Sequence, residues 1–244
     1  MRKLYEKNEP AFALCWIFAY IAGNGLAGML GQALGVFRPV SAGFHAVMAA
    51  GLLLWVRRNG LCGKYGLTLP GYRPAQALFF LPLAPVALYK LFFSPALRYG
   101  AAESALFVTG MLCVGFLEEL LFRGFLFRAL EKDSPDRAIF ISSAAFGAVH
   151  IVNLLAGQSL PDTIGQIIFA LAVGFALAIL FYKGKSLVPC IAFHGVLNAL
   201  SVLENEEAMY RALGGPVPAR AILIAASAAV LGGYSLWIRK HLEG

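Results

Sequence analysis

Apolar runs long enough to cross a bilayer dominate this chain, and they constrain its fold more than any other feature. A transmembrane helix takes about 20 predominantly apolar residues. By that measure about eight segments qualify, at roughly 11–35, 39–56, 74–97, 102–128, 137–156, 162–182, 186–203 and 219–238. Only short polar stretches join them, so no soluble domain is expected beside the membrane part. Charged residues make up 14% of the 244, against about 25% in a typical soluble domain. No ten-residue alternation of the kind a membrane β-barrel needs is found. The fold class expected is all-α: a polytopic membrane protein of about eight transmembrane helices, forming one domain over residues 1–244.

The formal charge of +7 is an orientation signal here, and no nucleic-acid partner is expected. Lys and Arg are enriched in cytoplasmic loops. One set of alternating loops carries Arg2, Lys3 and Lys7; Arg57, Arg58, Lys64 and Arg73; Arg128, Lys132 and Arg137; Lys183 and Lys185; Arg239 and Lys240. The other set carries Arg38, Lys90, Arg98, Arg211 and Arg220. The bias predicts a multi-pass protein of the cell membrane with both termini in the cytoplasm. Trp55 and Trp237 beside basic pairs suit interfacial anchors. The first apolar run is too long for a signal-peptide core, and MRKLYEKNEP is read as leading into an uncleaved span. Cys15, Cys62, Cys113 and Cys190 are scattered, without the spacing of a zinc knuckle or a disulfide framework. Ser134-Pro135-Asp136 predicts a helix N-cap followed by proline at the first helical position. Pro189 falls near the start of the seventh segment, where a missing N–H costs little.

Once every charge that belongs to a loop is set aside, five ionisable residues remain inside spans: Glu118, Glu119, Arg123, His150 and His194. Asn198 joins them. A charged residue at the centre of a span costs about 2.5–3.5 kcal/mol on insertion scales. Such residues face a bundle interior or a wet cavity, and they pair. On a helix Glu119 and Arg123 are i and i+4, which predicts an ion pair. Glu118 lies about 140° around an α-helix from Arg123, which leaves it without a local partner and free to hold a water as a general base. Phe146 and His150 form a second i, i+4 pair, and His194 and Asn198 a third. Asn and His side chains both donate hydrogen bonds, so they suit a developing oxyanion. Gly147 and Gly195, beside the two histidines, favour close helix contact. His45 is read as structural, Phe146 as packing, and Gln166 has no assigned role.

EELLFR, FGAVH and HGVLN resemble, in order, the EExxxR, FxxxH and HxxxN motifs of the CPBP family, which includes type 2 CAAX prenyl proteases, bacteriocin-processing enzymes and Abi proteins. The motifs lie within residues 118–198; the first hundred residues resemble the family only in being membrane helices. The resemblance implies an intramembrane endopeptidase with a polar cavity open to the cytosol. Carried over by position, Glu118 and His150 activate the attacking water, His194 and Asn198 form the oxyanion hole, and Glu119 and Arg123 order the site. No cofactor is favoured. The residues leave zinc as an alternative, held by Glu118 and the histidines, although no HExxH is present. The partners implied are a peptide or lipid-modified protein substrate, a prenylated CAAX tail among them, and membrane lipid.

Two other classes compete with this reading. A transporter predicts paired broken helices in related halves, and none is found. A non-catalytic immunity or scaffold protein of the same fold predicts drift at a catalytic position, and all six motif positions are intact.

Overall fold

In a computed structural model, residues 1–68 and 80–241 are described, and every regular element among them is helical. A short α1 (Arg2–Lys7) leads into α2 (Glu9–Ala33) and α3 (Phe37–Arg58). Next come α4 (Ala84–Leu88) with a 3₁₀ turn to Phe92, then α5 (Ala101–Glu118). A π-helix over Glu119–Phe127 and α6 (Arg128–Leu130) continue α5. The remaining helices are α7 (Pro135–Ala148), α8 (Leu160–Gly184), α9 (Val188–Ala199), α10 (Glu206–Ala212) and α11 (Pro216–His241). Six stretches are long and apolar enough to span a bilayer: Glu9–Ala33, Phe37–Arg58, Ala101–Leu130, Pro135–Leu154, Leu160–Gly184 and Pro216–His241. The chain is a multi-pass membrane protein.

The third and seventh apolar segments are shorter helices, Phe80–Phe92 and Val188–Leu203. Proline explains much of this. Pro85 starts α4, and Ser94 at φ 48°, followed by Pro95, ends the segment; each proline lacks a donor and disfavours helix at the residue before it. Residues 74–79 and Arg73 lie outside the described residues. Pro189 occupies the first turn of α9 as expected, and Ser134 caps α7 by accepting from the Arg137 N–H.

Large apolar side chains cover the outside. Phe18, Val47, Leu155 and Leu236 are 73%, 74%, 90% and 72% exposed. In water such a surface would drive aggregation; in a bilayer it meets acyl chains. The interior holds Phe12, Leu52, Leu117, Leu120, Phe122, Phe127, Leu177 and Phe181, all essentially buried.

The bundle has two unlike ends. At one, the Glu9 carboxylate takes Lys64 at 2.7 Å and Lys132 at 2.8 Å, Arg239 pairs with Asp136, and the Leu187 N–H donates to the Gly66 carbonyl. The hydrogen bond that the Lys132 ammonium donates to Glu9 holds it above its ordinary pKa. At the other end Arg220 pairs with Asp162 at 2.6 Å, and Arg98 reaches Glu206 at 3.5 Å. Both chain termini lie at the first end.

Helices α5 and α9 touch at two glycines. A Cβ on Gly115 would sit 2.6 Å from the Gly195 N and 2.7 Å from its Cα, both backbone atoms that cannot swing aside. The closeness expected of Gly195 is therefore made with Gly115; at Gly147 the neighbour is the Leu171 side chain. Gly115→Ala is expected to force these helices apart at a cost of about 1–3 kcal/mol. The check is the thermal midpoint in detergent, which should fall. Gly232→Ala, with open space at its Cβ position, should leave it unchanged.

Candidate functional site

The π-helix sits on the EELLFR motif. An insertion of i→i+5 turns into a helix is rare and frequently marks a functional site. Successive residues of an α-helix point about 100° apart, yet here both glutamates reach one imidazole. His194 Nδ1 lies 2.7 Å from Glu119 Oε1, and Nε2 lies 3.4 Å from Glu118 Oε2. The ring stands between the two carboxylates.

Glu119 and Arg123 make the ion pair expected from their spacing, Nη1 to Oε1 at 3.0 Å, with both side chains wholly buried. The guanidinium also lies over the Phe146 ring, 4.3 Å from its centroid. That contact serves a cation whose Nε and Nη2 have no hydrogen-bond partner. Phe146 packs edge-on against His150 at 5.2 Å and against His194 at 5.6 Å. The aromatic residue of FGAVH is thus the wedge that spaces two histidines and an arginine.

Glu118 departs from the lone carboxylate expected of it. Its Oε1 accepts from the Tyr20 hydroxyl at 3.0 Å. Tyr20 comes from α2, 98 residues away in sequence, and no motif marks it. Asn24, one turn further along α2, lies 3.1 Å from His45 Nε2 on α3. His45 therefore lines the cavity, as Tyr20 and Asn24 do. Gln166 accepts from Asn153 at 2.8 Å and faces the same space.

The hydrogen bonds set the tautomers. His150 Nδ1 lies 2.9 Å from the Phe146 carbonyl. A carbonyl only accepts, so Nδ1 carries the proton and Nε2 keeps a lone pair. At His194 the Glu119 carboxylate likewise fixes a proton on Nδ1. The Nε2 edge of that ring faces Glu118.

Two polar cavities meet at this point. One, of about 460 Å³, is lined by Tyr20, Asn24, His45 and Glu118. The other, of about 540 Å³, is lined by Tyr89, Lys90, Glu204 and Arg220. His150, Gln166, His194, Asn198 and Ser201 line both. Lys90, a loop cation by sequence, is buried here; it contacts the Ser201 hydroxyl and lies 3.7 Å from Glu204. A pocket of this size, with a few convergent polar groups, has the form of a ligand site.

All six motif residues are thus brought together from α5 and its π-helical extension, from the 3₁₀ turn after α7, and from α9. Residues 100–200 match the family described as Rce1-like, type II CAAX prenyl endopeptidase. That segment is similar to this family. The match covers every motif residue and stops short of Tyr20, Asn24 and His45, which complete the cavity from α2 and α3. No curated protein and no solved structure matches the chain.

Among the described residues no three His, Cys, Asp or Glu side chains are grouped as a metal's ligands. His194 Nδ1 is turned to Glu119 and His150 Nδ1 to a backbone carbonyl, contacts that metal-ligating histidines also make through their second nitrogen, while His194 Nε2 faces Glu118.

Tyr20 holds the Glu118 carboxylate through its hydroxyl. Tyr20→Phe removes one hydrogen bond to a charged acceptor, worth about 1.5–3 kcal/mol. The expected result is a fall in kcat of about tenfold or more with KM little changed. A loss of folded protein, or a rise in KM alone, would mean that the hydroxyl does not act through Glu118.

Proposed function

We propose that this chain is an intramembrane endopeptidase that hydrolyses a peptide bond near the C terminus of a membrane-associated polypeptide. The observation that carries the reading is the pair of glutamates clasping one histidine inside an apolar bundle, beside a second histidine with a free Nε2 and two adjoining cavities of about 460 and 540 Å³. The Rce1-like match over residues 100–200 supports the same reaction class.

Water bound between Glu118 and His150 Nε2 gives up a proton as its oxygen adds to the scissile carbonyl carbon. The proton passes to Glu118 or His150, and the carbonyl oxygen becomes an oxyanion. Asn198 donates to that oxygen, as does His194 when Nε2 carries a proton. Collapse of the tetrahedral species breaks the C–N bond, and the stored proton leaves with the amine. Glu119 holds His194 by Nδ1, as a buried carboxylate orients the histidine of a hydrolase triad. Arg123 balances that carboxylate's charge. No cofactor takes part in this scheme.

Purified chain in liposomes, given a panel of lipid-modified and unmodified peptides, tests the proposal. Wild type should cleave a subset, and a chelator should leave the rate unchanged. Asn198→Ala removes one oxyanion donor and should cost about 10²–10³ in kcat. Activity lost with chelator and restored by zinc would overturn the metal-free scheme. A folded wild type that cleaves nothing would favour a binding protein of the same fold.

A transport pathway finds little support. Both cavities are lined from one end of the bundle, and beyond the glutamates lie Leu117, Leu120, Leu121, Phe122 and Phe127, each 0% exposed.

A further inference from the structure

The cavity opens at a definite end of the bundle. From α3 it is lined near the start, by Phe37, Arg38 and Ser41, and no further than His45; from α8 and α11 it is again lined from the first half, starting at Asp162 and Arg220. From α2 it takes nothing before Tyr20, from α5 nothing after Glu118, and from α9 nothing before His194. Every helix therefore contributes from the same side. The mouth lies at the end of Arg38, Asp162, Glu206 and Arg220, opposite both chain termini.

Cations separate the two ends. Among the described residues the closed end carries thirteen Lys and Arg and the mouth end five, with Arg123 buried between them. The five are mostly neutralised within the fold. Arg38 lies 3.4 Å from the Tyr99 ring centroid and 3.9 Å from Glu103. Lys90 and Arg98 share Glu204, and Arg220 takes Asp162. At the closed end Lys3, Lys7, Arg57 and Arg58 are exposed to solvent. Unpaired cations in short loops stay in the cytoplasm because moving them across the membrane is costly. The closed end is the cytoplasmic one by this measure, and a cytosolic mouth cannot coexist with it.

We propose that the site takes its substrate from the non-cytoplasmic side of the membrane: a secreted or surface-anchored polypeptide whose scissile segment lies at the outer interface, and not the cytosolic tail of a prenylated protein. The choice of side rests on the fold and the charges. The choice of substrate rests in addition on the endopeptidase reading.

The test separates the two. In full-length chain with Cys15, Cys62, Cys113 and Cys190 replaced by serine, one cysteine is placed at either end, by Glu207→Cys at the mouth or Arg58→Cys at the closed end. Both positions are exposed. A membrane-impermeant maleimide applied to intact cells, or to intact organelles if the chain sorts to an internal membrane, should label Glu207→Cys. Arg58→Cys should label only after permeabilisation. The reverse pattern overturns the proposal whatever the enzyme does. Wild type in sealed vesicles of known orientation, with the peptide panel outside, then reads the substrate side. Cleavage should appear when the original outer face is outside and be at least tenfold weaker in inverted vesicles. Cleavage confined to inverted vesicles overturns the substrate assignment. Absence of cleavage in both orientations overturns it together with the endopeptidase reading, while the labelling still decides the side.

Discussion

Glu118→Gln is expected to lower kcat by about 10²–10⁴-fold, the contribution of a positioned general base, in a chain that still folds. Glutamine keeps the size of the side chain and an oxygen to accept from the Tyr20 hydroxyl, so the 3.0 Å contact to α2 survives. It cannot take a proton from water. Glu118 is only partly buried and carries no ion pair with Arg123, so losing its charge strands no partner in the bundle. The effect should therefore appear in kcat, with KM and thermal midpoint near the wild-type values. Peptide cleavage under single-turnover conditions is the direct readout, since it isolates the chemical step from product release. A Glu118→Gln variant that retains more than a tenth of the rate would remove Glu118 as the base. His150, with its free Nε2, would then be the group to test.

Much of this site is legible in the sequence. An ionisable residue in an apolar span is costly, so each of the five has to have a reason, and their i, i+4 spacings identify three converging faces. The Glu119–Arg123 pair can be read from spacing alone, and so can the N-cap at Ser134. Two things are hidden. Tyr20, Asn24 and His45 are ordinary in sequence: an amphipathic tyrosine, a lone asparagine and a lone histidine give no periodic signal in a span, and only packing of α2 and α3 against α5 shows what they touch. The π-helix is equally invisible, because α-helical geometry sends Glu118 and Glu119 in different directions. In the structure both carboxylates nonetheless reach His194. His194 is thus held between two carboxylates, a contact the motif spacing does not show.

The mouth is hidden for a related reason. Loop cations report which end is cytoplasmic, but not toward which end side chains within the spans open a cavity. That depends on which turns of each helix are packed shut. The run of large apolar residues from Leu120 to Phe127 fills the closed end, whereas Gly110 and Ser41 line the open space on the other side of Glu118.

Arg123 alone should be far more expensive to remove than Arg123 and Glu119 together. Both are 0% exposed, and each is the other's principal counter-charge. Breaking a buried ion pair from one side leaves an uncompensated charge and costs about 3–5 kcal/mol, whereas replacing both members by apolar residues of similar volume is often neutral or stabilising. Arg123→Met is therefore expected to lower the thermal midpoint sharply, because Glu119 keeps only His194 against its charge. Glu119→Leu should do the same, because the guanidinium keeps only the face of Phe146. The double change Glu119→Leu with Arg123→Met should recover most of the lost stability. It should not recover cleavage, since no carboxylate then fixes the Nδ1 proton of His194 and the ring is free to turn from Glu118. Midpoints in detergent for the four chains give the coupling between the two residues, and the peptide assay on the same samples gives activity. A double variant as active as wild type would reduce the pair to a structural lock. One as unstable as the single variants would show that the pair is not the main reason either charge is tolerated, and that the hydrogen bond from His194 carries more of the balance.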